Sequence, residues 1–154
     1  MSEPDAASYF ALDAEFTAAG VGRYVDYDDG DQVTPVEFVP GLEFRPVAGD
    51  GTMTNFVRYQ PNTEAPRHSH EEEQITFVID GEFEFDLDGD VRLMRPGMAV
   101  LVPAGVPHGA RALDSTCYEI DVFSPPRRVL VEAARAAENG AEAASELDPD
   151  ESQS

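Results

Sequence analysis

The chain has 154 residues, enough for one domain with a buried core, and 42% of them are hydrophobic, which argues against a disordered polypeptide. Thirty-one acidic residues stand against ten arginines and no lysine, a formal charge of −21, so nucleic acid and anionic membrane are not expected partners. The single cysteine, Cys117, rules out an intramolecular disulfide and fits a reducing compartment.

The N-terminal residues are acidic and lack the basic-then-apolar pattern of an export leader. No apolar run reaches bilayer-spanning length, so a cytoplasmic protein is expected. Acidity without lysine resembles the proteins of salt-loving microbes. Carboxylates that repel one another should be relieved by screening, so the melting temperature is expected to rise by roughly 5 °C or more from dilute to molar potassium chloride. A flat response in a thermal scan would count against this.

In chain order, an acidic segment spans residues 1–31, with a short helix predicted from about Asp5 to Ala18 ending at Gly20. Asp26 to Asp31 reads as a solvated turn, because the spacing of oxygen ligands in a calcium loop is absent. A β domain is expected over 32–128. Its predicted strands are Val36–Val39, Leu42–Arg45, Thr52–Gln60, Gln74–Asp80, Glu82–Leu87, Val91–Arg95, Met98–Val102 and Thr116–Ser124. Phe83, Phe85 and Leu87 alternate onto one face, and Asp88-Gly89 is a hairpin signal. Short strands without intervening helices predict an antiparallel sandwich or barrel. Residues 129–154 read as an alanine-rich helix from Val129 to Glu138, stopping at Asn139-Gly140, and then an acidic disordered tail.

The three histidines, His68, His70 and His108, fall within one stretch of the β region. On a strand His68 and His70 would share a face, and a returning strand could bring His108 beside them. Neutral imidazole is the commonest protein ligand for a transition metal, although a His-x-His pair also occurs on solvated strands. Gln74 follows at even spacing; the Glu71-Glu72-Glu73 run between reads as a solvated face, with Glu72 a spare ligand candidate. On the last strand Cys117, Glu119, Asp121 and Phe123 share one face and Tyr118, Ile120 and Val122 the other. Cys117 reads as a packed thiol. Asp121 has two readings, an edge residue facing water or a carboxylate facing a cavity. In the second, Arg127 would lie near it as a clamp for an anion.

Together, His68-Ser69-His70, Gln74, Gly81 and the run Gly97, Pro103, Gly105, His108 resemble the double signature of the cupin superfamily over about residues 33 to 128. Asn62, Gln74 and Ala112 stand where that signature has glycine, glutamate and asparagine. The resemblance implies an all-β fold, a cupin jelly-roll barrel of antiparallel strands with short terminal helices. It also implies His68, His70, Gln74 and His108 around one divalent transition metal ion (nickel, zinc, iron or manganese) and a homodimer. Glutamine in place of the carboxylate leaves the ion's charge uncompensated. That favours Lewis-acid chemistry over ferrous oxygen activation.

A narrower resemblance rests on His-Ser-His, Glu-Gln-Ile, Val-Pro-His-Gly-Ala and Asp-Val-Phe-Ser-Pro-Pro-Arg. It is to the uronate-linearising cupins of pectin and alginate breakdown, a family that also has glutamine in the acidic slot. It implies metal-dependent conversion of cyclic 4,5-unsaturated monouronates to linear keto sugars. Asp121 and Arg127 would be the catalytic residues, Phe123 and Arg127 would contact an anionic sugar, and the ion would be held as above. The alternatives are a non-catalytic metal- or sugar-binding cupin, or a metal-dependent dioxygenase or lyase acting on a small organic acid.

Overall fold

The computed structural model describes residues 3, 5–12 and 17–147. Its strands are β1 (Val36–Val39), β2 (Leu42–Ala48), β3 (Met53–Tyr59), β4 (Glu64–His68), β5 (Glu73–Asp80), β6 (Phe83–Leu87), β7 (Asp90–Met94), β8 (Ala99–Val102), β9 (His108–Ala112) and β10 (Cys117–Ser124). They form a six-stranded sheet in the order β1-β2-β3-β10-β5-β8 and a four-stranded sheet in the order β4-β9-β6-β7. Every pairing is antiparallel. This is the expected jelly roll. The two sheets, however, are not hydrogen-bonded into a closed barrel: they face each other as a sandwich and share a core between them.

Alternation builds that core. On β3, Met53, Asn55, Val57 and Tyr59 point inward, and on β10 so do Cys117, Glu119, Asp121 and Phe123. Phe83 and Phe85 of β6, Ala110 and Ala112 of β9 and Val78 of β5 complete the apolar end, with Cys117 buried among them. The Asp88-Gly89 hairpin forms as predicted, with φ of 50° and 93° and Leu87 opposite Asp90. At Gly81 (φ 76°) a Cβ would press on the carbonyl oxygen of Thr116 and the Cα of Cys117, so no side chain fits there.

The structure departs from the sequence reading at several elements. Strands β4 and β9 carry His68 and His108 but lack a clean alternating pattern, so neither is among the strands predicted above. The first helix, α1, spans only Ala6–Tyr9, with Asp5 as its cap, and residues 13–16 of the predicted element lie outside the described residues. The last helix, α2 (Arg128–Leu147), runs through Gly140. One glycine inside a helix costs about 1 kcal/mol against alanine, and the surrounding alanines and glutamates outweigh it. The rest of the predicted tail, 148–154, lies outside the described residues.

The acidic turn at 26–31 does not lie over the mouth of the sandwich. It crosses the outer face of the six-stranded sheet, where Tyr27 stacks on Phe56 at 3.6 Å and its hydroxyl meets that of Tyr118 at 2.6 Å. Arg45 donates to the carbonyl oxygens of Tyr27 and Asp28, and Arg58 pairs with the Asp28 carboxylate at 2.9 Å. The exposed Arg58–Asp28 pair adds little by itself; the aromatic stack supplies the burial. At the other end of β10, Phe123 packs with Met53 and with Leu130 of α2, so the helix closes one side of the opening.

Candidate metal centre

The β4–β9 register sets His68 directly opposite His108. His70 is not on β4; it sits in the bend leading into β5. The shared-face argument for a single strand is therefore replaced by a turn that folds the second imidazole back toward the first. Ring centroids lie 4.4 Å apart for His68 and His108, 4.9 Å for His70 and His108, and 5.7 Å for His68 and His70. One ring nitrogen from each falls within 4.8 Å of the others, with His68 on the solvent side and His108 buried. Gln74 enters from the opposite sheet on β5, its side chain inward.

Hydrogen bonds set the polarity of this cluster. Each Nδ1 meets a backbone carbonyl: His68 that of Pro66 at 2.7 Å, His70 that of Glu72 at 3.0 Å, and His108 that of Val106 at 2.9 Å. Burial, reinforced by the nearby Arg127 guanidinium, lowers the His70 pKa. Burial above all, with the neighbouring imidazoles, takes His108 down to about 4. Neutral rings that donate from Nδ1 present bare lone pairs at Nε2. In His70 and His108 those lone pairs face Gln74 Oε1 at 3.0 and 3.1 Å. The Gln74 amide cannot turn to supply a proton, because its Nε2 donates to Thr76 Oγ1 at 2.7 Å and to Asp121 Oδ1 at 3.3 Å. Acceptors converging on one point repel one another unless a cation lies among them. Three imidazoles and an amide oxygen suit a divalent transition ion, so the residues present fit such a group.

Glu72, the spare ligand, lies behind His70 and outside the cluster. Its Oε1 accepts from the backbone N–H of Arg128 at 3.3 Å, satisfying a free donor at the start of α2, and its Oε2 lies 3.5 Å from His70 Nδ1.

Asp121 points inward, not to water: it is 9% exposed and takes 2.6 Å and 3.3 Å hydrogen bonds from Thr76 and Gln74. Burial raises its pKa, opposed by the hydrogen bonds from Glu119 and Thr76 and by His68 and His70. Beside it Glu119 is 2% exposed, and burial together with the Asp121 charge holds its carboxyl well above the usual range. The sequence placed Glu119 on this face but gave it no role; nothing in its residue type separates a buried acid from a surface one. A cavity of about 340 Å³ runs between the sheets past Gln74, His108, Asp121 and Phe123 to Arg127. Phe123 stands 5.6 Å from His70, edge to face. Arg127, half-buried at the mouth, has no carboxylate partner among the described residues.

The fold and the site define a small two-sheet jelly roll with a cluster of three histidines in its interior, placed so that it could hold a metal ion. The sequence family described as "Cupin domain" matches residues 55–122. The pectin degradation protein KdgF of Dickeya dadantii is 30% identical over 79 residues, 51% of this chain and 72% of that one. The chain belongs to the cupin superfamily. The dimethylsulfoniopropionate lyase DddQ of Ruegeria pomeroyi is 38% identical over 71 residues, 45% of this chain but only 35% of that one. Among solved structures, KdgF from a Halomonas species superposes with a TM-score of 0.65 at 28% identity, covering 71% of this chain and 99% of that one.

Proposed function

We propose that the protein is a metal-dependent cupin enzyme that converts cyclic 4,5-unsaturated monouronates to linear keto sugars. The observation that carries this reading is the placement of the buried Asp121 carboxylate, wired through Gln74 to the histidine cluster, in one cavity with Arg127, which has no carboxylate partner among the described residues. The likeness to two KdgF proteins, one of them named for pectin degradation, supports it.

His68, His70, Gln74 and His108 would hold the ion. When bound there, a divalent ion supplies Lewis-acid polarisation of sugar oxygens. The rest of the chemistry falls to the chain. Arg127 grips the substrate carboxylate through parallel N–H donors, and Phe123 walls the ring. The Asp121 carboxylate takes the proton of the anomeric hydroxyl as the bond from the anomeric carbon to the ring oxygen breaks. That carbon becomes an aldehyde, and the ring oxygen stays on the unsaturated carbon as an enolate. Return of the proton to the neighbouring alkene carbon gives the ketone, so the reaction is a net isomerisation with no other reactant.

The test is proton NMR of 4,5-unsaturated galacturonate in concentrated salt, which screens the repulsion between a chain of charge −21 and an anionic sugar. The cyclic form is expected to disappear faster with metal-loaded protein than with the same preparation after chelation. Equal rates with verified metal bound would remove the proposed activity. A lyase reading has its own support in the match to DddQ. Dimethylsulfoniopropionate offered to the same preparation measures it, through release of dimethyl sulfide.

A further inference from the structure

Two buried polar atoms, Asn55 Oδ1 and Glu119 Oε2, have no hydrogen-bond partner among the described residues. Their residues are 1% and 2% exposed, and both line the interior cavity. The β3–β10 register sets Asn55 opposite Asp121 and Val57 opposite Glu119. Asn55 and Glu119 are therefore diagonal neighbours on one sheet face, close enough for both to reach one small ligand fragment. Buried polar atoms in a folded chain are almost always paired, and two unpaired acceptors on one cavity wall call for donors from outside the chain.

We propose that Asn55 and Glu119 form a hydroxyl-binding subsite at the inner end of the cavity, taking adjacent hydroxyl groups of a polyhydroxylated ring. Burial, with the Asp121 charge beside it, raises the Glu119 pKa, and its Oε2 is left without a partner among the described residues. A neutral acid beside a neutral amide suits hydroxyl donors better than a cation, which would need an ionised carboxylate. The surrounding walls are Phe83, Phe85 and Ala110, with the buried Tyr59 phenol on the same wall as the nearest polar group, diagonal to Glu119. The subsite deepens the uronate reading, and the choice of probe rests on that reading.

The experiment is calorimetric titration of the metal-loaded protein with galacturonate and with cyclohexanecarboxylate, which keeps the ring and the carboxylate but has no hydroxyls. Asn55→Leu, nearly the same shape without the acceptor, is expected to shift the affinity ratio about tenfold toward cyclohexanecarboxylate. Its melting temperature should be unchanged or higher, because an unpaired buried acceptor has been removed. Glu119→Gln, which retains a donor toward Asp121 and an acceptor toward the cavity, should keep the wild-type ratio, whereas Glu119→Met should lose it. An unchanged ratio in Asn55→Leu and Glu119→Met overturns the subsite, and a lowered melting temperature in both would assign the pair to folding instead. Turnover of the unsaturated uronate with an unchanged ratio leaves the reaction standing without the subsite. A shifted ratio without turnover keeps the subsite and removes the reaction. Failure of wild-type protein to bind galacturonate at all counts against the subsite.

Discussion

Asp121→Asn is expected to lower turnover of the unsaturated uronate by about 10²–10⁴-fold, the usual range for loss of a positioned proton-transfer group, while metal content stays at the wild-type level. The two readouts separate because Asp121 touches the cluster only through Gln74: its Oδ1 accepts from Gln74 Nε2 and Thr76 Oγ1. An asparagine oxygen can accept both of those bonds, so the amide of Gln74 keeps its orientation and Oε1 still faces His70 and His108. What is lost is a basic oxygen in a dry site. Kinetics by NMR and metal analysis of the same sample check both halves, and unchanged turnover would remove Asp121 from the chemistry.

His108→Ala is expected to weaken metal binding by more than about 100-fold. Loss of a residue that merely orients a ligand already costs 10–100-fold, and His108 is the innermost of the three rings. Its side chain is fixed from both ends, by the Val106 carbonyl at Nδ1 and by the strand pairing that sets it opposite His68 and Leu87, so no neighbouring group can swing into its place. Competition with a chelator of known affinity measures the loss. Full occupancy in the variant would sink the ligand assignment. Activity should fall with occupancy and return in part at high metal concentration, unlike that of Asp121→Asn, which no amount of metal restores.

Much of this architecture was legible in the chain. The strands with clean alternation, such as Phe83 to Leu87, and the Asp88-Gly89 hairpin announce themselves because half-buried strands and positive-φ turns constrain residue type locally. The histidine spacing and the glycine-proline run before His108 pointed to the same cavity the structure shows. Residues 64–68 and 108–112 were less legible: Glu64–His68 contains a proline and an arginine, and His108–Ala112 a glycine packed against the Ala65 carbonyl. Their strand character comes from pairing with each other, not from their own pattern.

The last strand shows the division most clearly. Its sequence fixes two faces, Cys117, Glu119, Asp121 and Phe123 on one and Tyr118, Ile120 and Val122 on the other, because strand geometry alternates whatever surrounds it. By hydropathy the second face should be the buried one. The tertiary structure decides the reverse. Pairing with β3 and β5 places the acidic face between the sheets, where hydrogen bonds from Thr76 and Gln74 offset the burial of the Asp121 carboxyl group. The outer apolar face is covered in part by the Tyr27 segment. Composition, charge, strand faces and candidate ligands are local properties, and the sequence by itself determined them. Which face lies inside, which rings converge and which acceptors are left unpaired depend on contacts between residues far apart in the chain, and only the folded sheets decide those.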